Sequence, residues 1–323
     1  MSSYSSHEAF STTRKAVTAR PVLSNKSNDK FETSLFLSPS LVINAGGLRT
    51  KGLFKKHEPS IPLITVITVV FNGAEDLEKT ILSILNQNYN NVEYIVVDGG
   101  STDGTLDIIR QYELSIDYWV SEKDVGIYDA MNKGIRLASG DWVNFMNSGD
   151  SFYENTTLDK IGFRYRQNLS ILYGDIKTFS KRHQVNVLKI SGPVFVKNLV
   201  MKIPICHQSI FVSLESFKSI GLFDTNYKIC ADHDWLIKAF LAGLQMDYVK
   251  ECIALCNIDG VSSTSIFQRK RERLAIALIH FDTLKPKIYF MAMISFIKAP
   301  FTYCLSKFNL IGVFHRFKRI KKI

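Results

Sequence analysis

The stretch LITVITVVFNG, residues 63–73, decides the fold class. Residues 63–71 are all apolar or threonine, with no alternating polar face. That is the pattern of a strand buried on both sides, hence of a parallel sheet. Asn72-Gly73 ends the run. Just downstream, Leu77, Ile81, Ile84 and Leu85 fall on one side of a helix expected over 75–87. VEYIVVD, residues 92–98, repeats the strand pattern, and GGSTDGT turns the chain into a helix at 105–112. A third strand is expected at 116–121, a helix at 127–138 and a fourth strand at 141–146. Strand and helix alternate throughout, which predicts an α/β domain doubly wound about a mainly parallel sheet.

In such sheets ligands bind at the carboxyl ends of the strands. Polar residues collect there: Asn72; Asp98 and the loop 99–104; Ser121, Glu122, Lys123 and Asp124; Asn147, Ser148, Gly149 and Asp150. An acid after an apolar strand, as at Asp98, either accepts hydrogen bonds from a ribose or base or forms a plain turn with the glycines that follow. No G-x-G-x-x-G follows the first strand and there is no P-loop lysine, which sets aside dinucleotide-dependent dehydrogenases and P-loop kinases. Residues 63–80 lack the glycine-rich basic start of a nucleotidyltransferase. SEKDVGIYDAMNKGI, residues 121–135, opens a helix with more polar residues than a cap needs. Within it Tyr128, Met131 and Ile135 read as a core stripe. Asp150 is placed to bind a hard divalent cation, or simply to close a turn. ICHQSIFV, residues 205–212, reads as a strand containing His207 and Gln208. ICADHDWLIKAFLAG, residues 229–243, begins an amphipathic helix with Asp232 and Asp234. Acids there favour the helix dipole, or supply a carboxylate general base.

Charge divides the chain. The total of +10 is made of +5 over residues 1–61, −6 over 62–263 and +11 over 264–323. An acidic body with basic ends is not a nucleic-acid binder of uniform positive charge. The five cysteines are sparse, and Cys252 and Cys256 have no second pair to complete a zinc site, so reduced thiols are expected. The first 30 or so residues, rich in Ser and Thr, are expected to be poorly ordered, with 34–52 as an irregular lead-in. The chain thus divides into a flexible extension at 1–45, an α/β domain at 46–263 and a basic, apolar helical extension at 264–323. No run of 18 uncharged apolar residues marks a transmembrane helix. Residues 288–314 are apolar and aromatic, and HRFKRIKKI follows at 315–323. The combination suits a segment lying in an anionic membrane interface; the other reading is a packed helical pair with a solvated tail.

Taken in order, these motifs resemble the family 2 glycosyltransferases, with a particular likeness to bacterial enzymes of colanic-acid, O-antigen and capsule synthesis. They are VITVVFNG with YIVVDGGSTDGT, then SEKDVGIYDAMNKGI, NSGD, HQS and YKICADHDWLIK. The resemblance covers about residues 45–263. It implies a GT-A fold and inverting transfer from a nucleotide-diphosphate sugar, a UDP-sugar first, to a glycan or polyprenyl-diphosphate-linked oligosaccharide at the cytoplasmic membrane face. Carried over, Phe71, Asn72, Asp98, Ser101 and Asp103 hold the nucleoside. Lys123, Asp124, Asp129 and Asn147 complete the donor site. Asp150 contributes to a Mn2+ or Mg2+ and diphosphate site, and His207 and Gln208 lie near acceptor or diphosphate. Asp232 is the implied base, with Asp234 its competitor. Two positions depart from the family pattern. D-S-D-D is here Asn147-Ser148-Gly149-Asp150, and the usual Glu-Asp base pair is Ala231-Asp232. The depleted acid motif leaves a second reading, a non-catalytic nucleotide-sugar-binding or scaffold member of the same fold.

Overall fold

The computed structural model describes residues 10–38, 44–58, 60–163, 170–180, 185–189, 191–192, 199–200, 205–258 and 265–297. The deciding stretch forms β4 (Ile64–Val70), buried along its whole length. Its residues divide between two layers. Ile67 and Val69 enter one apolar cluster, and Ile64, Val66 and Val70 enter the other. Burial on both faces is why the run shows no polar alternation.

β5 (Val92–Asp98) and β7 (Trp142–Phe145) flank β4 in parallel, and β6 (Tyr118–Ser121) extends β5, also in parallel. The helices between them are α1 (Leu77–Leu85), α2 (Thr105–Gln111) and α3 (Ile127–Leu137), each at the place its sequence predicts. α1 packs on the second cluster and α3 on the first. Gly134 of α3 lies so close to the sheet that a Cβ there would sit 2.5 Å from Ile67 Cγ2.

Beyond β7 the sheet turns mixed. β11 (Ile210–Ser213) runs antiparallel to β7 and to β9 (Ile171–Ser180). β12 (Met246–Asn257) is parallel to β9, and β8 (Ser151–Phe152) is antiparallel to β12. β10 (Val185–Lys189) adds to β9, and β2 (Asn44–Gly46) closes the other edge against β6. The order is β2-β6-β5-β4-β7-β11-β9-β12-β8. Further helices are α4 (Thr157–Ile161), α5 (Leu214–Ile220), α6 (Ala231–Leu241), α7 (Ile266–His280) and α8 (Lys285–Ile297).

Two expectations are corrected. The strand expected over 205–212 starts only at Ile210; His207–Ser209 form a 3-10 turn. The buried Asn144 amide holds that turn by donating to the carbonyls of Gln208 (3.1 Å) and Ile210 (2.9 Å). Residues 10–30, expected to be poorly ordered, lie against the body, as the lead-in that follows is expected to do. Ser11 donates through its backbone N–H and its hydroxyl to the last carbonyls of α1, Leu85 (2.9 Å) and Ile84 (2.8 Å). β1 (Ala16–Val17) pairs with β3 (Phe54–Lys55), and Phe31 and Leu35 are buried. Hydroxyls satisfying a helix C-terminus carry no hydrophobic signal, so composition hides the attachment. The lead-in is fixed by a buried ion pair, Arg49 to Glu93 at 2.5 Å, with Arg49 also donating to the carbonyls of Leu35 and Leu137.

At the C-terminus, α7 buries Ile276 and Ala277, and α8 buries Ile288 and Ala292. Tyr289, Phe290 and Met293 of α8 face outward. Residues 298–323, which hold the rest of the apolar segment and the basic tail, lie outside the described residues. Among the described residues no helix is long and apolar enough to cross a membrane, and Cys206, Cys230, Cys252 and Cys256 form no disulfide.

Candidate active site

The carboxyl ends of β4, β5, β6 and β7 form one rim. Asn72 follows β4 with a positive φ of 49°, a conformation asparagine tolerates. Its N–H donates to Ser101 Oγ at 2.7 Å, and its side-chain oxygen accepts from Thr102 N at 2.9 Å. Asp103 accepts from Ala74 N at 3.1 Å and from the Thr105 hydroxyl at 2.6 Å. These bonds fasten the loop after β4 to the loop after β5. The Thr105 hydroxyl, first among several donors, holds the Asp103 carboxyl below its ordinary pKa.

Asp98 is fully buried, and its carboxylate accepts from Gly100 N (3.1 Å), Ser101 N (3.0 Å), the Ser101 hydroxyl and the Ser121 hydroxyl (2.6 Å). It builds the turn and fixes β6 beside it. Gly99 leaves space above: a Cβ there would sit 2.4 Å from Asp124 Oδ2 and 3.4 Å from the Phe71 ring. Phe71 itself is 64% exposed, an aromatic face open at the end of a buried strand.

Asp124 does not cap α3; it accepts from Gly126 N at 3.0 Å. Burial pushes its carboxyl above the ordinary pKa, against the pull of that N–H and of Lys133. Asp129 accepts from Val125 N at 3.2 Å and lies 3.3 Å from Lys133, which also reaches Glu122 at 2.7 Å. Lys123 is exposed.

The second half of the rim centres on His207. Its Nε2 lies 3.0 Å from the Asn147 amide nitrogen and its Nδ1 3.6 Å from Asp232 Oδ2. Asp232 Oδ1 accepts from the Tyr128 hydroxyl and from His233 N, both at 2.9 Å. Burial raises the Asp232 pKa, but the His207 and Tyr128 hydrogen bonds outweigh it and the carboxyl is held low. Burial lowers that of His207, but the Asp232 carboxylate outweighs it and the imidazole is held high. Once protonated, His207 pairs with the ionised Asp232 carboxylate, whose side chain is 18% exposed.

Asp234, the competing acid, turns away. It lies 2.7 Å from His280 of α7 and 2.6 Å from Lys238, and its side chain is 4% exposed. His233 is fully buried and bonded to the Leu199 carbonyl at 2.6 Å.

Asp150 is engaged within the protein. Oδ2 accepts from Gln208 at 2.6 Å and Oδ1 from Asn257 N at 2.8 Å, and burial pushes its pKa up against those bonds. Among the described residues no group of three or more His, Cys, Asp or Glu is arranged to hold a metal ion. Each carboxylate oxygen keeps a second lone pair, so Asp150 would give a divalent cation one protein ligand, with the diphosphate supplying others.

The sequence reading placed the rim residues but missed Tyr128, read as core. The ring is buried; only the hydroxyl reaches Asp232. Its position next to Asp129 in the polar helix start was the available signal.

Comparison with known proteins agrees with the geometry. The profile described as Glycosyl transferase family 2 matches residues 65–201. A PGL/p-HBAD biosynthesis glycosyltransferase of Mycobacterium tuberculosis is 31% identical over 223 residues, 67% of this chain and 85% of that one. S. aureus TarS 1–349 in complex with UDP-GlcNAc superposes with a TM-score of 0.54 at 18% identity, over 68% of this chain and 67% of that one. This chain spans 43% of a longer TarS chain. The mannosyltransferase PcManGT of Pyrobaculum calidifontis, with GDP-Man and Mn2+, gives 0.52 at 20% identity, over 73% and 71% of the two chains. At these identities the structures speak to the fold, and that fold is GT-A.

Proposed function

The chain belongs to the family 2 glycosyltransferases, and on that premise we propose that it transfers a sugar from a nucleotide-diphosphate donor with inversion, using Asp232 as the base. The observation that carries the reading is the Asp232 carboxylate. It stands in the first turn of α6, ionised and partly exposed, between Tyr128 and His207. Phe71, Gly99 and Asp124 lie together at one end of the rim, and His207 and Asn147 tie Asp232 to the end of β7.

The donor nucleoside lies against the Phe71 face and the 98–105 turn. Asp232 takes the proton of the acceptor hydroxyl as its oxygen attacks the anomeric carbon. The bond to the diphosphate breaks on the opposite face and its electron pair leaves with the nucleoside diphosphate. An α-linked donor then gives a β-linked product. His207, with its high pKa, and the Asn147 amide meet the negative charge that develops on the leaving group. A divalent cation held at Asp150 would add to that charge stabilisation.

The acceptor is a lipid-linked glycan of bacterial surface polysaccharide synthesis, reached at an anionic membrane surface. Two features support this: the outward Tyr289, Phe290 and Met293 of α8, and the +11 charge of residues 264–323. The experiment is a panel of UDP-, GDP- and dTDP-sugars, UDP-sugars first, assayed for binding and for nucleotide release. Turnover with one nucleotide class supports the reading. Binding without turnover on any donor and acceptor would make the chain a non-catalytic member of the fold.

A further inference from the structure

We infer that Glu272 of α7 is a positioning residue for Asp232, holding the first turn of α6 from behind. The inference rests on Asp232 as the base, but its test reads where that carboxylate sits. α6 begins at Ala231, and its N-cap residue Cys230 contributes no side-chain hydrogen bond. Helix starts leave backbone N–H groups without partners, and an acid near them is favourable. Here the acid comes from another helix. Glu272 accepts from three consecutive backbone N–H groups: Lys228 on Oε1 at 3.0 Å, and Ile229 and Cys230 on Oε2 at 2.9 Å each. Gln268, one turn earlier on α7, donates to Oε1 at 3.1 Å.

The pinned segment leads straight to the base. The single Tyr128 hydroxyl proton is shared between the Ile229 carbonyl at 2.7 Å and Asp232 Oδ1 at 2.9 Å. A second clasp follows on the same helix: His280 meets Asp234 at 2.7 Å, two residues past Asp232. α7 therefore grips the start of α6 on both sides of the base. Hydrogen bonds to a carboxylate are stronger than neutral ones, and three of them share one residue here. Without Glu272 the 228–230 segment and the Tyr128 hydroxyl lose their fixed reference, and so does Asp232. Misplacement by about 1 Å can cost a catalytic group roughly a hundredfold in rate. The basic C-terminal extension thus also carries part of the support of the active site, through α7.

The test uses the full chain in four forms: wild type, E272A, D232N and the double variant. The decisive readout is the NMR titration of the His207 ring, assigned by its loss in H207Q. That midpoint stands above the ordinary imidazole value of about 6.5 because Asp232 is close, so it reports where the carboxylate sits. The groups acting on His207 are Asp232, Cys206 and Asp150, and E272A alters none of them directly. The expected result is a fall of the midpoint toward 6.5 in E272A, with no further fall when E272A is added to D232N. On a donor from the panel, kcat falls about tenfold or more while donor KM changes less than about twofold. A lower melting temperature with an unchanged His207 midpoint would make Glu272 merely structural and overturn the inference. So would an E272A shift that adds fully to that of D232N. Should E272A not fold, E272Q carries the test, with a smaller shift in the same direction because one acceptor oxygen remains. Wild-type turnover in D232N would instead sink the base assignment, whatever the titration shows.

Discussion

Asp232→Asn isolates proton acceptance from structure. The amide keeps an oxygen where Oδ1 accepts from the Tyr128 hydroxyl and from His233 N, so both 2.9 Å hydrogen bonds survive. What disappears is the charge 3.6 Å from His207 and the ability to take a proton. The pair is partly exposed, so its loss should cost about 1 kcal/mol of stability or less. A positioned general base contributes about 10²–10⁴-fold to rate, roughly 3–5 kcal/mol of barrier. The expected result is a kcat lower by that factor, with donor affinity changed less than about threefold because Phe71 and the 98–105 turn are untouched. Nucleotide release at saturating donor and acceptor measures the first, and calorimetry with the donor measures the second. Asp234→Asn is the control. It cuts a buried contact to His280 and Lys238, one of the two clasps of α7 on α6, so it should cost about 1–3 kcal/mol of stability and lower kcat by no more than about tenfold, well short of the Asp232 variant. The reverse pattern, a slow Asp234 variant and a wild-type Asp232 variant, would refute the assignment.

Three further outcomes are expected. Gly99→Ala puts a methyl 2.4 Å from Asp124 Oδ2, and should weaken nucleotide binding about tenfold without unfolding the chain; unchanged affinity would show that the nucleotide does not use this turn. The His207–Asp232 pair stabilises the fold in full above the ordinary Asp value of 3.8 and below the ordinary His value of 6.5. Its share is lost as pH rises through the raised His207 pKa, and as pH falls through the lowered Asp232 pKa. Thermal melts of wild type and H207Q should therefore differ most inside that window and converge at alkaline pH. Tyr289→Ser with Phe290→Ser should reduce flotation with phosphatidylglycerol vesicles, with the remaining binding falling as salt rises; full binding of the double variant at high salt would exclude α8 as the contact.

The parallel half of the sheet was legible because burial on two faces writes itself into composition. Residues 63–71 and 92–98 leave no polar face, and their ends can only be polar. The site was legible where a loop directly follows such a strand, as at Asn72, Asp98 and Asp124. It was not legible where a side chain acts across the fold. Glu272 lies in an ordinary basic helix, and its three partners are backbone N–H groups, which no residue type announces. Tyr128 fills a core position with its ring and does its polar work with one atom. Asp232 and Asp234 both stand in the first turn of α6; only the positions of His207 and His280 separate them.

The same reasoning gives Asn147 a role that its reading as a depleted acid motif conceals. Its Nδ2 lies 3.0 Å from His207 Nε2, and its Oδ1 is buried with no hydrogen-bond partner among the described residues. A buried carbonyl left so costs about 1–3 kcal/mol. While His207 is neutral with its proton on Nδ1 toward Asp232, Nε2 accepts from the amide. Once His207 carries both protons, Nε2 needs an acceptor. Turning the amide by half a rotation brings Oδ1 to that place and gives the orphaned oxygen its donor. An amide therefore suits either charge state of the imidazole, where an ionised aspartate could only accept and would favour the doubly protonated ring.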